Sequence, residues 1–191
     1  MVLRIHSGEA GGRYIKARPR GPEVRPILAR IRKSLFDILR PRLAGSRFLD
    51  VYAGTGTVGI EALSNGAAEV VFVDASRDSC RMVEDNLAHL GFAARAQVVR
   101  ADAVRELRFV GARVFDFIFM GPPYKDDQKK PLALTLPTLE ALGAAGLAGP
   151  DTWVIGQHHK KEPVAPLPPG WVVFREKEYG DSVLTFFQRK A

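Results

Sequence analysis

The chain has one cysteine, Cys80, so an intrachain disulfide and a cysteine-based metal cluster are both excluded. A buried small apolar residue or a helix-surface thiol is what remains for it. Long apolar runs are missing too. The longest, FDFIFM and EVVFV, fall far short of the ~20 residues a membrane helix needs. The opening MVLRIHSGEAGGR lacks the continuous apolar stretch of a secretory signal. There is no internal repeat and no low-complexity tract. Together these absences lead us to expect a cytoplasmic protein without a membrane segment. Histidine is scarce, with four in all. His158 and His159 are adjacent, but no third or fourth ligand stands at usable spacing, so no metal is expected.

What is present starts with charge. The 191 residues carry 28 basic and 21 acidic side chains, a net +7. Between residues 1 and 33 the bases are Arg4, Arg13, Lys16, Arg18, Arg20, Arg25, Arg30, Arg32 and Lys33, against Glu9 and Glu23. Nine minus two equals the excess of the whole chain, so the other 158 residues are balanced. A concentrated basic arm fits a polyanionic partner such as RNA. A solvated surface is the plainer alternative.

Residues 1–24 read as that arm, in which LRIHSG and RYIKAR can pair as a small hairpin. From Arg25, Ile27, Ile31, Leu35, Ile38 and Leu39 recur at helical spacing, with Pro26 suited to the first turn and Pro41 expected to end it. Strands and helices then alternate. Strands are read at 47–52, 69–74, 96–102, 114–120 and 152–158, and helices at 58–65, 77–90 and 131–145. Pro137 can shift the start of the last helix, and GAAGLAGPD reads as a loop. WVVFREKEY and SVLTFFQRK close the chain as a strand pair about Gly180-Asp181, taken as an antiparallel edge. Near-continuous apolar strands between helices argue for a parallel sheet covered on both faces, an α/β architecture occupying residues 25–191. Phe36, Trp153, Trp171 and Phe174 are assigned to its core.

The first strand runs into D50-V-Y-A-G54-T-G56-T-V-G59. Glycines after a strand let backbone approach a ligand, as in dinucleotide sites. Asp50 at the entry would repel a pyrophosphate but suits a cationic amino-acid cofactor. Asp74 ends the next strand, where a carboxylate can accept both hydroxyls of a ribose. Asp102 ends the third and can accept from an adenine amine. The ordered set of acids matches S-adenosylmethionine, although each acid alone is equally at home as a turn or helix cap. Tyr52 can line the pocket or simply pack.

After the fourth strand comes FMGPPY, residues 119–124. Two prolines offer carbonyl acceptors without N–H donors on a stiff loop, and the aromatic can stack on a flipped base. Sites that methylate amino groups carry Asp, Asn or Ser just before the prolines; this chain has Gly121. Asp126 or Asp127 can stand in for the lost acceptor, backbone carbonyls can suffice, or the site can be silent. Restoring an acid with Gly121→Asp is expected to raise turnover.

The chain resembles the RsmD-type methyltransferases, which modify guanine N2 in bacterial 16S small-subunit rRNA. The resemblance runs through I-H-S-G-E-A-G-G-R, V-R-P-I-L-A-R-I-R-K-S-L-F-D-I-L, the cofactor loop L-D-V-Y-A-G-T-G-T-V-G-I-E-A-L-S-N-G-A, and Y-G-D-S-V-L-T-F-F. It implies a class I S-adenosylmethionine-dependent, Rossmann-like fold: a seven-stranded sheet with its last strand antiparallel, plus the small basic N-terminal extension. It places Asp50, Gly54, Gly56, Asp74 and Asp102 at the cofactor, to which the reading above adds Tyr52 as a lining residue, and Gly121, Pro122, Pro123 and Tyr124 at the target base. Arg25 and Pro26 match a family pair expected near the RNA, with Arg4, Arg13, Lys16, Arg18, Arg20 and Arg30 as further RNA contacts. The implied partner is rRNA or a partly assembled 30S particle, and a monomer is expected. A silent RNA-binding or assembly factor, a DNA or small-molecule methyltransferase, and a NAD binder are the rivals.

Overall fold

A computed structural model of the chain describes residues 2–17, 29–126 and 128–190. The two N-terminal pieces do pair: β1 (Val2–Arg4) and β2 (Tyr14–Lys16) form an antiparallel ribbon, with Leu3 opposite Ile15. The first long helix, α1, is described over Ala29–Leu43. Its Ile31, Leu35 and Leu39 are fully buried at helical spacing. Pro41 lies inside α1 and does not end it. Only two residues follow it, so the proline forfeits just one intrahelical bond, and buried Leu43 anchors the last turn.

The chain then builds β3 (Arg47–Val51), α2 (Thr57–Ser64), β4 (Glu69–Asp74), α3 (Arg77–Leu90), β5 (Ala96–Arg100) and β6 (Phe115–Met120). Next come α4 (Thr135–Ala144), β7 (Ala148–His159), β8 (Trp171–Tyr179) and β9 (Ser182–Arg189). The seven-stranded sheet has the order β5-β4-β3-β6-β7-β9-β8. Strands β3 to β7 run parallel to one another, and β9 is antiparallel to both β7 and β8. The last strand is therefore not an edge: it lodges between β7 and β8, and β8 takes the edge. This moves Phe174 out of the core. It is 41% exposed on β8, its ring against Trp153 and Phe186, while Phe36 and Trp171 are buried as read.

Two other boundaries differ from the sequence reading. Strand β7 begins at Ala148, so the end of GAAGLAGPD is strand, joined to β6 through an irregular register. Helix α4 begins at Thr135, because Pro131 pairs back with Lys125. Pro137 falls in its first turn, where amide hydrogens lack intrahelical partners in any case.

Side chains alternate across β3 and divide the core. Phe48 joins Phe72 and Phe117 under α1, α2 and α3; Leu49 and Val51 join Ile118, Met120 and Phe187 under α4. All eight residues of α2 are buried. Gly59 makes that possible, since a Cβ there would stand 2.3 Å from the Phe72 ring.

One charge sits in this apolar helix. Glu61 is 1% exposed, and its carboxylate accepts the N–H groups of His6 and Ser7 at 2.9 and 3.0 Å and faces the Arg32 Nε at 3.3 Å. Arg32 also donates to the Arg4 carbonyl at 2.7 Å. On the other side the Asn86 side chain accepts from the Lys16 N–H and donates to its carbonyl, both at 2.9 Å, and reaches the Thr55 carbonyl at 3.1 Å. The ribbon is thus fastened to α1, α2, α3 and the loop after β3.

Candidate active site

Parallel pairing puts the carboxyl ends of β3 to β7 at one rim, where ligands bind in sheets of this kind. The loop from β3 to α2 lies on that rim. Tyr52, Gly54 and Gly56 have φ of +64°, +56° and +75°. Gly54 and Gly56 adopt these values freely, whereas Tyr52 is strained and needs support. It receives it from Thr138 on α4, whose Oγ1 is 2.7 Å from the tyrosine hydroxyl. Burial pushes the Tyr52 phenol up to about 12, against the Thr138 bond and with the charges of Asp102 and Glu162 adding to the shift. Those charges show that the loop, the end of β5 and the start of the segment after β7 face one another.

Asp74, the last residue of β4, is half-buried. It accepts the Gly54 N–H at 2.8 Å on one oxygen and the Ser76 N–H at 2.9 Å on the other. It holds the glycine loop in place and keeps lone pairs toward the rim. Asp102, two residues past β5, accepts the N–H groups of Val104 and Arg105 on Oδ1, at 2.9 and 3.0 Å. Its other oxygen takes no hydrogen bond among the described residues. Glu106 steadies the turn by accepting the Asp102 N–H at 2.8 Å.

Asp50 is different. It lies within β3, 2% exposed, beneath the loop and not in its mouth. Its carboxylate accepts the Gly59 N–H in the first turn of α2 at 2.8 Å, which is the helix-capping alternative left open by the sequence. Burial pushes its pKa up to about 8, opposed by the Gly59 bond and reinforced by Asp74.

The base side begins at Gly121, whose N–H reaches the Val51 carbonyl at 3.3 Å. Pro122 is buried, Pro123 exposed and Tyr124 half-buried. Among the described residues, neither the Gly121 nor the Pro122 carbonyl accepts a hydrogen bond. Tyr124 is held from three sides. Gln157 donates to its hydroxyl at 3.1 Å, the hydroxyl donates to Ser182 Oγ at 3.2 Å, and the His159 ring meets it edge-on at 5.9 Å. Its hydroxyl being engaged, the ring is what Tyr124 offers to a ligand.

Asp126 is engaged within its own loop. Its Oδ1 accepts the Lys130 N–H at 2.8 Å, and the loop closes through Leu132 N–H to the Tyr124 carbonyl at 3.1 Å. Asp127 lies outside the described residues, as do Arg18, Arg20, Arg25 and Pro26. Of the remaining basic candidates, Arg4, Lys16 and Arg30 have exposed side chains. Arg13 is spent on the end of α3, donating to the His89 and Leu90 carbonyls at 2.8 and 3.3 Å. His158 is buried against Thr185, its Nε2 2.8 Å from the hydroxyl. Among the described residues no group of three acidic, histidine or cysteine side chains could hold a metal, and no helix is long and apolar enough to cross a membrane.

The sequence reading missed Ser182 behind Tyr124, Thr138 behind Tyr52, and Glu61 and Asn86 behind the arm. Only Glu61 announces itself, as a lone acid in the apolar run V-G-I-E-A-L.

A parallel sheet with its reversed strand second from the edge, and a glycine loop leaving its central strand, is the class I methyltransferase fold. The family model described as "Conserved hypothetical protein 95" matches residues 3–188, and the chain belongs to that family, the RsmD-type methyltransferases. It is 31% identical to "Putative rRNA methyltransferase YlbH" of Bacillus subtilis over 190 residues, 98% of this chain and 100% of that protein. It is 29% identical to ribosomal RNA small subunit methyltransferase D of Escherichia coli K12, over 99% of this chain and 91% of that one. The solved structure of "Putative methyltransferase yhhF" from Escherichia coli superposes with a TM-score of 0.83 at 26% identity, covering 100% and 99% of the two chains.

Proposed function

We propose that the protein is an S-adenosylmethionine-dependent RNA methyltransferase acting on the N2 amino group of a guanine in small-subunit rRNA. The observation that carries this reading is the pair of unengaged carbonyls, Gly121 and Pro122, on a proline-stiffened turn beside the glycine loop, with the Tyr124 ring clamped next to them. The rRNA assignment rests on the relatives' names.

The residues fit the cofactor. Asp74 has lone pairs left for ribose hydroxyls, Asp102 has an open oxygen for an adenine amine, and Gly54 and Gly56 leave room for backbone approach. When bound, S-adenosylmethionine supplies a methyl group already activated on a sulfonium. The protein contributes position. Holding amine and donor in line is worth up to ~7–11 kcal/mol. Acceptors on the amine hydrogens draw its lone pair out of conjugation with the ring, and here the Gly121 and Pro122 carbonyls take that role. The Tyr124 ring stacks on the extruded base. Exposed Arg4, Lys16 and Arg30 meet RNA phosphates, so binding weakens with salt.

Transfer of a labelled methyl group to small-subunit RNA lacking the modification, followed by nucleoside mass spectrometry, tests the reading. N2-methylguanosine is expected; a methyl group on another atom overturns it. Gly121 favours one rival, a factor that keeps the fold and binds RNA without methylating it, and the same assay then gives binding with no transfer.

A further inference from the structure

The charge count assigns the whole basic excess to the N-terminal segment. The structure withdraws part of it: Arg32 is buried against Glu61, and Arg13 is turned to the end of α3. A second set of cations lies beside the Tyr124 ring, where the balanced part of the sequence hides it. Lys125 follows Tyr124 directly, and Lys129 and Lys130 share its closed loop. Lys160 and Lys161 follow His159, whose ring touches that of Tyr124.

One acid of this rim is ion-paired and two accept backbone amides. Asp181 pairs with Lys160 at 2.7 Å, Asp126 accepts the Lys130 N–H, and Glu162 accepts the Thr135 N–H at 2.9 Å. Lys125, Lys129, Lys130 and Lys161 are exposed and make no ion pair among the described residues. The one other acid in these two loops is Asp127, outside the described residues. Two touching rings bordered by exposed lysines free of ion pairs are a pattern that holds single-stranded nucleic acid: bases on the rings, phosphates on the ammonium groups.

We infer that the loops after β6 and β7 form an RNA-phosphate rim, which grips the strand flanking the target base through Lys125, Lys129, Lys130 and Lys161. This deepens the proposed function and rests on it for the identity of the base, but the rim's affinity for RNA can be measured without catalysis. A fluorescent single-stranded RNA oligomer is titrated against the full chain at several salt concentrations. The rim variant carries Lys125→Gln, Lys130→Gln and Lys161→Gln; a control carries Arg47→Gln, Arg113→Gln and Lys190→Gln at the opposite end of the sheet.

Each phosphate contact on a single strand contributes about 0.7 to the slope of log affinity against log salt. The rim variant is expected to lose roughly 2 from that slope and about 10-fold or more in affinity at physiological salt. Its S-adenosylhomocysteine binding and thermal midpoint should stay at wild-type values, and the control should keep the full slope. Equal slopes for wild type and rim variant, or equal losses in rim variant and control, overturn the inference. A wild type that binds the oligomer through the rim but methylates no small-subunit RNA overturns the proposed function and leaves the rim standing.

Discussion

Gln157 Nε2 donates to the Tyr124 hydroxyl at 3.1 Å, so a strand-end amide sets the attitude of the ring on which a base would stack. The hydroxyl in turn donates to Ser182 Oγ at 3.2 Å. If Gln157 and Ser182 act through that oxygen, then Gln157→Ala, Ser182→Ala and Tyr124→Phe each lower kcat/KM for RNA by a similar factor, about 5- to 10-fold for one lost hydrogen bond. Added to Tyr124→Phe, the other two should cost nothing more, and Ser182→Thr should retain activity. Additive losses in the double variants would show that they act elsewhere.

Asp74 serves two backbone amides at once. Asp74→Asn leaves one acceptor oxygen for those two donors and removes the charge that favours ribose hydroxyls. Calorimetry with S-adenosylhomocysteine should show affinity falling about 10- to 100-fold, the range for hydrogen bonds to a charged group. RNA affinity should be unchanged.

The buried Asp50 makes stability depend on pH. Folding raises its pKa from 3.8 to about 8. Between these values the folded protein holds a proton that the unfolded chain has released, so stability falls as pH rises through this window and levels off above it. Asp50→Asn keeps an oxygen for the Gly59 N–H and removes the titration. Urea midpoints from about pH 5 to about pH 9 should decline for the wild type and be flatter for the variant. Parallel curves would mean that Asp50 is ionised throughout.

A Cβ on Gly121 would stand 3.0 Å from Phe119 Cε1. The structure thereby revises the sequence expectation for Gly121→Asp. Alone, the substitution should not raise methyl transfer, because it presses on a buried ring. Combined with Phe119→Leu it gains room, and turnover should then exceed that of Phe119→Leu alone. Removing one comparable electrostatic partner in other active sites costs ~2.7–4 kcal/mol, which bounds the gain. A rise with Gly121→Asp alone would show that Phe119 yields easily.

Glu61 holds the N-terminal ribbon and the buried Arg32 together. Glu61→Gln leaves that guanidinium without its counter-charge and should lower unfolding free energy by about 3–5 kcal/mol in urea titrations. Cleavage within residues 2–17 by a protease should speed up in parallel. An unchanged midpoint would mean that the ribbon is held mainly by Asn86.

The sequence displayed whatever depends on local pattern. Strand-helix alternation, the Gly180-Asp181 turn and the acids at the ends of β4 and β5 follow from periodicity and from residue types with one cheap conformation. It misled where a local rule had a positional exception, as with Pro41 in a final turn. It was silent where the partner is distant in the chain: nothing near Tyr124 points to Ser182, and nothing near Lys16 points to Asn86. The charge count failed for the same reason. Arg32 and Lys125 are equivalent letters, and only tertiary contact buries one and leaves the other on the rim.

The placement of β9 has a temporal consequence. Its eight residues leave the ribosome after both strands they separate, so β7 and β8 each wait with an open edge until β9 emerges. Ser182 arrives with them, and a nascent chain therefore carries its cofactor loop well before the tyrosine beside it is locked. The clamp on Tyr124 is therefore closed only once β9 has slotted between strands made before it.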